Sequence, residues 1–367
     1  MLNIESVKGK IKHISKTKHV GAEFIWQKYF IDRILKMVSQ TEYKDKIIVK
    51  GGYLLSSILG IENRITKDLD ITLKNTSIDK QNVIKMFNDI LKQDKDVVYT
   101  IEKTEKIIEG GDYDGIRLLI RVGVGDKFFY LKLDISTGDI ITPKEKKITL
   151  KSAIGNEDII IYSYNFETIM AEKLECIITK NTQNTRMKDF YDIYVITQLK
   201  NEEINKEVLK KALKNTCEQR NVSKYIKNYK NILKEIKESK QIKELWEKYK
   251  LDYQYAKDIK IENICNVIEK VLDKVVDIGE MTVYWFNGSQ MERKTQEEFI
   301  DIAFNGDKNR GLAYWNKMKE NLNNGKKYKD TIYETIVIDN KENKKFIYGI
   351  RLNEKIANML LKKVKEE

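Results

Sequence analysis

The sequence predicts an α+β chain in three parts: a lobe built on a mixed sheet, a helical lobe, and a small α+β segment at the end. Three observations carry this reading. Period-two alternation over residues 97–101, 115–122 and 127–135 marks neighbouring strands that extend a sheet in antiparallel fashion. Near Asn165 the texture changes to helical periodicity rich in lysine and glutamate, which runs to about Val276 with almost no strand signal. A third texture of strand, helices and hairpin begins near Gly279. Boundaries drawn on texture alone fall at 1–164, 165–278 and 279–367.

Residues 15–39 carry helical periodicity, with Phe24, Tyr29, Phe30, Ile34 and Val38 among the apolar positions. Residues 47–49 then read as a strand entering Gly51-Gly52, 52–59 as a short helix, 69–73 as a second strand and 80–91 as a helix. The only proline, Pro143, marks a turn before a short strand around Ile148. In the helix over 166–178, Met170, Leu174, Ile177 and Ile178 form one buried stripe at i, i+4, i+7 and i+8. Beyond 279, residues 282–286 suggest a strand and 296–303 and 312–322 suggest helices. Residues 331–338 and 345–352 suggest a hairpin around Asn340-Lys341-Glu342-Asn343, and a basic helix closes the chain.

The chain has 367 residues, of which 41% are hydrophobic and 34% charged, enough for two or three domains with a highly charged surface. No apolar run approaches the ~18 residues of a membrane span, and the first ten residues lack a signal-peptide core. Cys176, Cys217 and Cys265 have no CxxC spacing and no even-numbered framework, so a cytoplasmic protein is expected. His13 and His19 are the only histidines and lie far from any cysteine or carboxylate cluster. Zinc chemistry and Ser-His-Asp catalysis therefore lack their groups, and carboxylates and lysines remain. A formal charge of +12 favours a polyanionic partner. Between 206 and 250 lysines recur with Tyr225, Tyr229, Trp246 and Tyr249 interleaved. That pattern suits either an RNA surface, with lysines on phosphates and rings on bases, or amphipathic helices with aromatic cores.

The most informative stretch runs from Lys50 to Asp70. Asp68 and Asp70 alternate with Leu69 and Ile71, so both carboxylates leave one face of a strand. They repel each other unless a cation lies between them, and Mg²⁺ takes a few carboxylate oxygens plus water and phosphate. Upstream, Gly51 and Gly52 let backbone approach a ligand, and the following helix offers free N–H groups to a phosphate. Such an order suits nucleotidyl transfer. Asp134 falls on the same strand face as Lys132, opposite Leu131, Leu133 and Ile135, and can serve as a third carboxylate. Lys173 sits in or beside the buried stripe of its helix and needs an anion there. Arg186, Asp189 and Asp192 share one helical face, where two acids at i, i+3 require cations such as Arg186 and Lys173.

Taken together, these segments resemble the abortive-infection nucleotidyltransferase toxin family (AbiEii/AbiGii), of type IV toxin–antitoxin systems. The matching stretches are Tyr43–Lys46 with Ile48–Gly52, Arg64–Asp70, Leu133–Asp139, Glu167–Glu175 and Asn184–Tyr194, in order over roughly residues 10 to 200. The resemblance implies a polymerase-β-like nucleotidyltransferase lobe joined to a helical lobe, with the active site between them. It implies transfer of a nucleoside monophosphate from a nucleoside triphosphate, in some members to the 3′ end of tRNA, and neutralisation by a separately encoded antitoxin. Carried over residue by residue, Asp68, Asp70 and Asp134 would hold Mg²⁺, with Mn²⁺ as the alternative ion. Asp68, Asp70, Asp134, Lys173 and Asp192 would form the catalytic set. Lys50, Gly51, Gly52, Ser56, Arg186 and Asp189 would contact the nucleotide. One departure is Gly51-Gly52 where related enzymes often have Gly-Ser, so Ser56 or Ser57 would have to supply a serine contact. The alternatives are protein-directed nucleotidyl or phosphoryl transfer, or a protein that binds RNA or antitoxin without chemistry.

Overall fold

The computed structural model describes residues 3–76, 79–109, 113–125, 127–155, 157–276, 281–286, 291–323, 335–339 and 344–348. The chain divides into two compact units, Met1–Val275 and Val276–Glu367.

The first unit opens with helices α1 (Ile4–Lys18) and α2 (Ala22–Ser39). The periodic stretch expected from residue 15 onward is thus broken. His19 takes a left-handed conformation (φ 52°), its N–H returns to the Ser15 carbonyl, and α2 restarts after Gly21. Strand β1 (Ile47–Lys50), helix α3 (Gly51–Leu59), strand β2 (Asp68–Leu73) and helix α4 (Lys80–Leu91) follow, close to their expected limits. Strands β3 (Val98–Glu109), β4 (Tyr113–Val124) and β5 (Lys127–Thr137) form a long antiparallel ribbon. Strands β6 (Lys146–Lys151) and β7 (Asp158–Ser163) complete a mixed sheet of seven, in the order β3-β4-β5-β2-β1-β7-β6. Strand β2 runs parallel to β5 and antiparallel to β1, and β1 runs parallel to β7. The expected α+β fold class is the observed one.

One face of this sheet is the core. Leu118, Ile120, Val122, Leu131, Leu133 and Ile135 are buried there, as are Ile31, Ile34 and Leu35 of α2. Trp26 stacks on Phe129 at 5.0 Å, joining α2 to β5. Each such aliphatic side chain contributes on the order of 2 kcal/mol. Alternation leaves the other face of β2, β4 and β5 to Asp68, Asp70, Arg117, Arg121, Tyr130, Lys132 and Asp134.

Asn165 caps helix α5 (Phe166–Lys180) through the Thr168 N–H, and its expected stripe of Met170, Leu174, Ile177 and Ile178 is buried. Helices α6 (Met187–Lys200), α7 (Lys206–Gln219), α8 (Ser223–Ile226), α9 (Tyr229–Glu238), α10 (Lys240–Asp252) and α11 (Ile261–Val275) complete the unit. Tyr229, Trp246 and Tyr249 are buried, and Trp246 donates its indole N–H to the Ile259 carbonyl at 2.8 Å. Of the four interleaved aromatics only Tyr225 is exposed, so most of that pattern is amphipathic core.

In the second unit, β8 (Met281–Phe286), β9 (Met291–Lys294), β10 (Thr335–Asp339) and β11 (Lys344–Tyr348) form a sheet in the order β11-β10-β8-β9. Helices α12 (Gln296–Phe304) and α13 (Lys308–Asn323) bury Phe299, Ile300, Trp315 and Met318, and a Thr295–Glu298 capping box opens α12. The expected turn at 340–343, residues 331–334 and the closing basic helix lie outside the described residues. Among the described residues no helix is long and apolar enough to cross a membrane.

Candidate active site

The parallel register of β2 and β5 sets Asp70 beside Asp134 and Asp68 beside Lys132, while the antiparallel partner of Asp70 on β1 is Lys50. Three expected site residues from positions 50, 70 and 134 therefore occupy one row across the sheet. At the β1–α3 junction Gly51 has φ 67°, and a Cβ built there would lie 2.1 Å from Asp70 Oδ2. Only glycine satisfies both demands. The Gly52 N–H points at the same oxygen over a long 3.4 Å. Gly51→Ala is expected to push the Asp70 carboxylate aside and to cost about 1–2 kcal/mol in backbone strain. Urea unfolding together with a transfer assay checks this: a variant as stable and as active as the parent refutes it.

Lys50 is buried and donates to Asp139 Oδ2 at 2.8 Å, and the Ser136 hydroxyl donates to the same oxygen at 2.7 Å. Burial pushes the Asp139 carboxyl up, but Lys50 and these hydrogen bonds prevail and hold it below its ordinary value. Asp134 is gripped by both arms of Arg117, at 2.7 Å each. The expected third metal carboxylate is thus committed to an arginine. Among the described residues no three Asp, Glu, His or Cys groups gather as a metal cage. The remaining donor set, two carboxylates at i, i+2 on β2, still fits Mg²⁺, which is commonly held by one or two carboxylates plus substrate phosphate and water.

On the helical side, Lys173 Nζ lies 2.6 Å from Asp189 Oδ1 and 2.8 Å from Asp192 Oδ2. Arg64, in the loop before β2, binds Asp192 at 2.6 Å, and Arg186 binds Asp189 at 2.9 Å. Asp189, Asp192, Arg64 and Lys173 are all buried. Both acids expected to face Lys173 do so, but Asp192 is shared with an arginine to which the sequence reading assigned no role. Burial raises the Asp192 carboxyl, and Arg64 and Lys173 overcome it and bring it to about 2. Desolvation lowers Lys173 and the two aspartates outweigh it, so the ammonium stays charged above its ordinary range.

This sets an acid limit. Because the folded value of Asp192 lies below the ordinary 3.8, its stabilisation is complete above that value and is lost as pH falls toward 2. Asp192→Asn is expected to lower stability at neutral pH and to flatten the loss between about pH 4 and pH 2. Thermal melts over that range test it, and an unchanged acid slope would refute the assignment.

A cleft of about 400 Å³ joins the two sides, lined by Lys50, Gly51, Gly52, Asp70 and Arg64 and by Lys173, Arg186 and Asp189. Lys180, Lys188 and Arg220 add cations, and Glu172 and Glu175 add acids, with Arg220 ion-paired to Glu175. Asp68 lies two residues along β2 from Asp70 on the same face. Ser56 does not reach the cleft: it is 3% exposed within α3, and the neighbouring Ser57 accepts from Lys28 at 2.9 Å. Arg64, Arg117, Asp139 and Arg220 are contacts that the sequence reading missed. Arg64 and Asp139 stood inside the recognised stretches without a role. Arg117 and Arg220 carried no local signal.

A family model described as nucleotidyl transferase AbiEii toxin, type IV toxin–antitoxin system, matches residues 33–271. Among solved structures, the chain is similar to a candidate nucleotidyltransferase from H. pylori, at 16% identity and a TM-score of 0.43, over 70% of this chain and 96% of that one. It is also similar to an antigenic nucleotidyltransferase-like protein from Paracoccidioides brasiliensis, at 16% identity and a TM-score of 0.31, over 52% of this chain and 88% of that one. The curated proteins contain no match.

Proposed function

Because this chain belongs to the AbiEii nucleotidyl transferase toxin family of type IV toxin–antitoxin systems, we propose that it transfers a nucleoside monophosphate from a nucleoside triphosphate to the 3′ end of a tRNA, opposed by a cognate antitoxin. The observation that carries this reading is the cleft itself. Asp70, with Asp68 beside it on β2, stands at one wall, and Lys173 and Arg186 stand at the other. A triphosphate matches that pairing of carboxylates and cations.

Asp68 and Asp70 would hold Mg²⁺ or Mn²⁺. A divalent ion held by these carboxylates would supply positive charge against the triphosphate. The chain's own groups do the rest. Lys50 and Lys173 meet negative charge leaving with the pyrophosphate. Asp189 and Asp192 fix the Lys173 ammonium in place, so it needs no reorientation as charge develops. Gly51 and Gly52 bring backbone close to the phosphates, and Arg186 stands at the cleft edge. Asp134 would accept the proton of the attacking hydroxyl on a lone pair not used by Arg117, whose two bonds make the carboxylate a weaker base. In this scheme the nucleotide sits between the sheet lobe ending near 164 and the helical lobe over 165–278.

The test is incubation of the full chain with each α-³²P-labelled nucleotide, Mg²⁺, and either total tRNA or cell protein. Label on tRNA supports the proposal, label on protein moves it to a protein acceptor, and no label on either refutes transfer. The formal charge of +12 adds a further expectation. Affinity for tRNA should fall steeply between low and moderate salt, because each neutralised phosphate releases counterions. Binding that ignores salt would exclude a phosphate-backbone mode.

A further inference from the structure

We infer that the open face of β3, β4 and β5 is the docking track for the single-stranded nucleic acid that carries the acceptor hydroxyl; this rests on the nucleotidyl-transfer reading above. Alternation along β5 sends Phe129, Leu131, Leu133 and Ile135 toward α2 and leaves Phe128, Tyr130, Lys132 and Asp134 on the opposite side. Phe128 is 57% exposed and Tyr130 49%, unusual for two aromatics on one strand face.

The register places cations beside both rings. Arg121 is the β4 partner of Tyr130, and its guanidinium lies over the Phe128 ring at 4.8 Å. Lys132 is exposed one step further along, beside Asp68 on β2. Three acids described on these strands are engaged: Glu102 with Arg121, Glu105 with Lys103 and Asp134 with Arg117. The row ends at the site, since Asp134 is the β5 partner of Asp70. From Phe128 to Asp134 the strand spans about 20 Å, room for several nucleotides.

Exposed rings flanked by cations are what unstacked bases and a phosphate backbone require. A duplex keeps its bases stacked on each other and gains nothing from such rings, so the partner is a single-stranded end. The helical lobe offers the opposite arrangement. Its lysines are exposed, but Tyr229, Trp246 and Tyr249 are buried, leaving Tyr225 as the one exposed ring of the four aromatics interleaved with its lysines. That lobe can hold phosphates yet has little to stack on.

The experiment measures binding of a fluorescein-labelled single-stranded RNA with a free 3′ hydroxyl by anisotropy, using the full chain. The double variant Phe128→Ala/Tyr130→Ala removes two exposed rings, with thermal melts as the control for folding. The comparison variant Lys210→Ala/Lys211→Ala/Lys214→Ala removes charge from the helical lobe. Nucleotide binding and acceptor kinetics are measured on both. The ring variant is expected to bind the RNA at least roughly tenfold more weakly and to raise KM for the acceptor, with kcat and nucleotide affinity unchanged. Parent-like RNA binding by the ring variant overturns the inference, and loss confined to the lysine variant would move docking to the helical lobe. A parent chain that binds no RNA also overturns it. In that case the transfer reading survives if label reaches another acceptor and falls if label reaches none.

Discussion

Asp68→Asn and Asp70→Asn are each expected to cut nucleotidyl transfer by on the order of 10² or more while leaving the fold intact. Both side chains leave the solvent-facing side of β2, and Leu69 and Ile71 keep the strand in the core. Asparagine preserves volume, and at position 70 it still offers an oxygen to the Gly52 N–H, so what is removed is one negative charge at the cation position. Initial rates of label incorporation at saturating nucleotide, with thermal melts as the control for folding, measure the effect. Undiminished transfer by either variant would take that carboxylate out of the chemistry. Asp134→Asn supplies a comparison, because it also leaves Arg117 without its bidentate partner and should cost stability as well as rate.

Lys173→Met is expected to destabilise the protein by about 3 kcal/mol or more, the usual consequence of removing one member of a buried ion pair. The methionine fits the space, so the loss is electrostatic. Asp189 would keep only Arg186, whose side chain is half in solvent, and Asp192 would keep only Arg64. At about 2–4 °C per kcal/mol for a domain of this size, the melting temperature should fall by roughly 10 °C. Adding Asp189→Asn removes one orphaned charge, so the double variant should be less destabilised than the sum of the singles. Strict additivity in that cycle would mean that the 2.6 Å contact between Lys173 and Asp189 contributes no coupling.

The carboxylate pair was legible because strand alternation is a local rule: Leu69 and Ile71 announce the core, and Asp68 and Asp70 must face away. Lys173 was legible for the same reason, as a charge set among the apolar positions of α5. What escaped was decided between distant segments. Arg117 reaches Asp134 only because the β4–β5 hairpin adopts one register, and a slip of one residue would send it to the other face. Arg64 meets Asp192 across 128 residues. Ser56 failed differently: α3 is nine residues long and buries Tyr53, Leu54, Leu55, Ser56 and Leu59, so its periodicity cannot say which side faces a ligand. Strand β7 escaped, although Gly155-Asn156 offers a turn before it, because its short apolar run sits next to a helix start. The tyrosines and tryptophan among the lysines of α9 and α10 fitted two readings equally, and burial decided between them.

The Arg64–Asp192 contact also sets a timetable for synthesis. Arg64 leaves the ribosome long before its partner does, and until α6 arrives its guanidinium has no buried carboxylate to meet. A nascent chain that ends before Asp192 therefore has carboxylates on β2 but lacks the wall that carries Lys173's anchors and closes the cleft. The two walls of the cleft therefore exist together only once α6 has been made. A chain that stops short of α6 lacks the carboxylates that hold Arg64 and Lys173 in place.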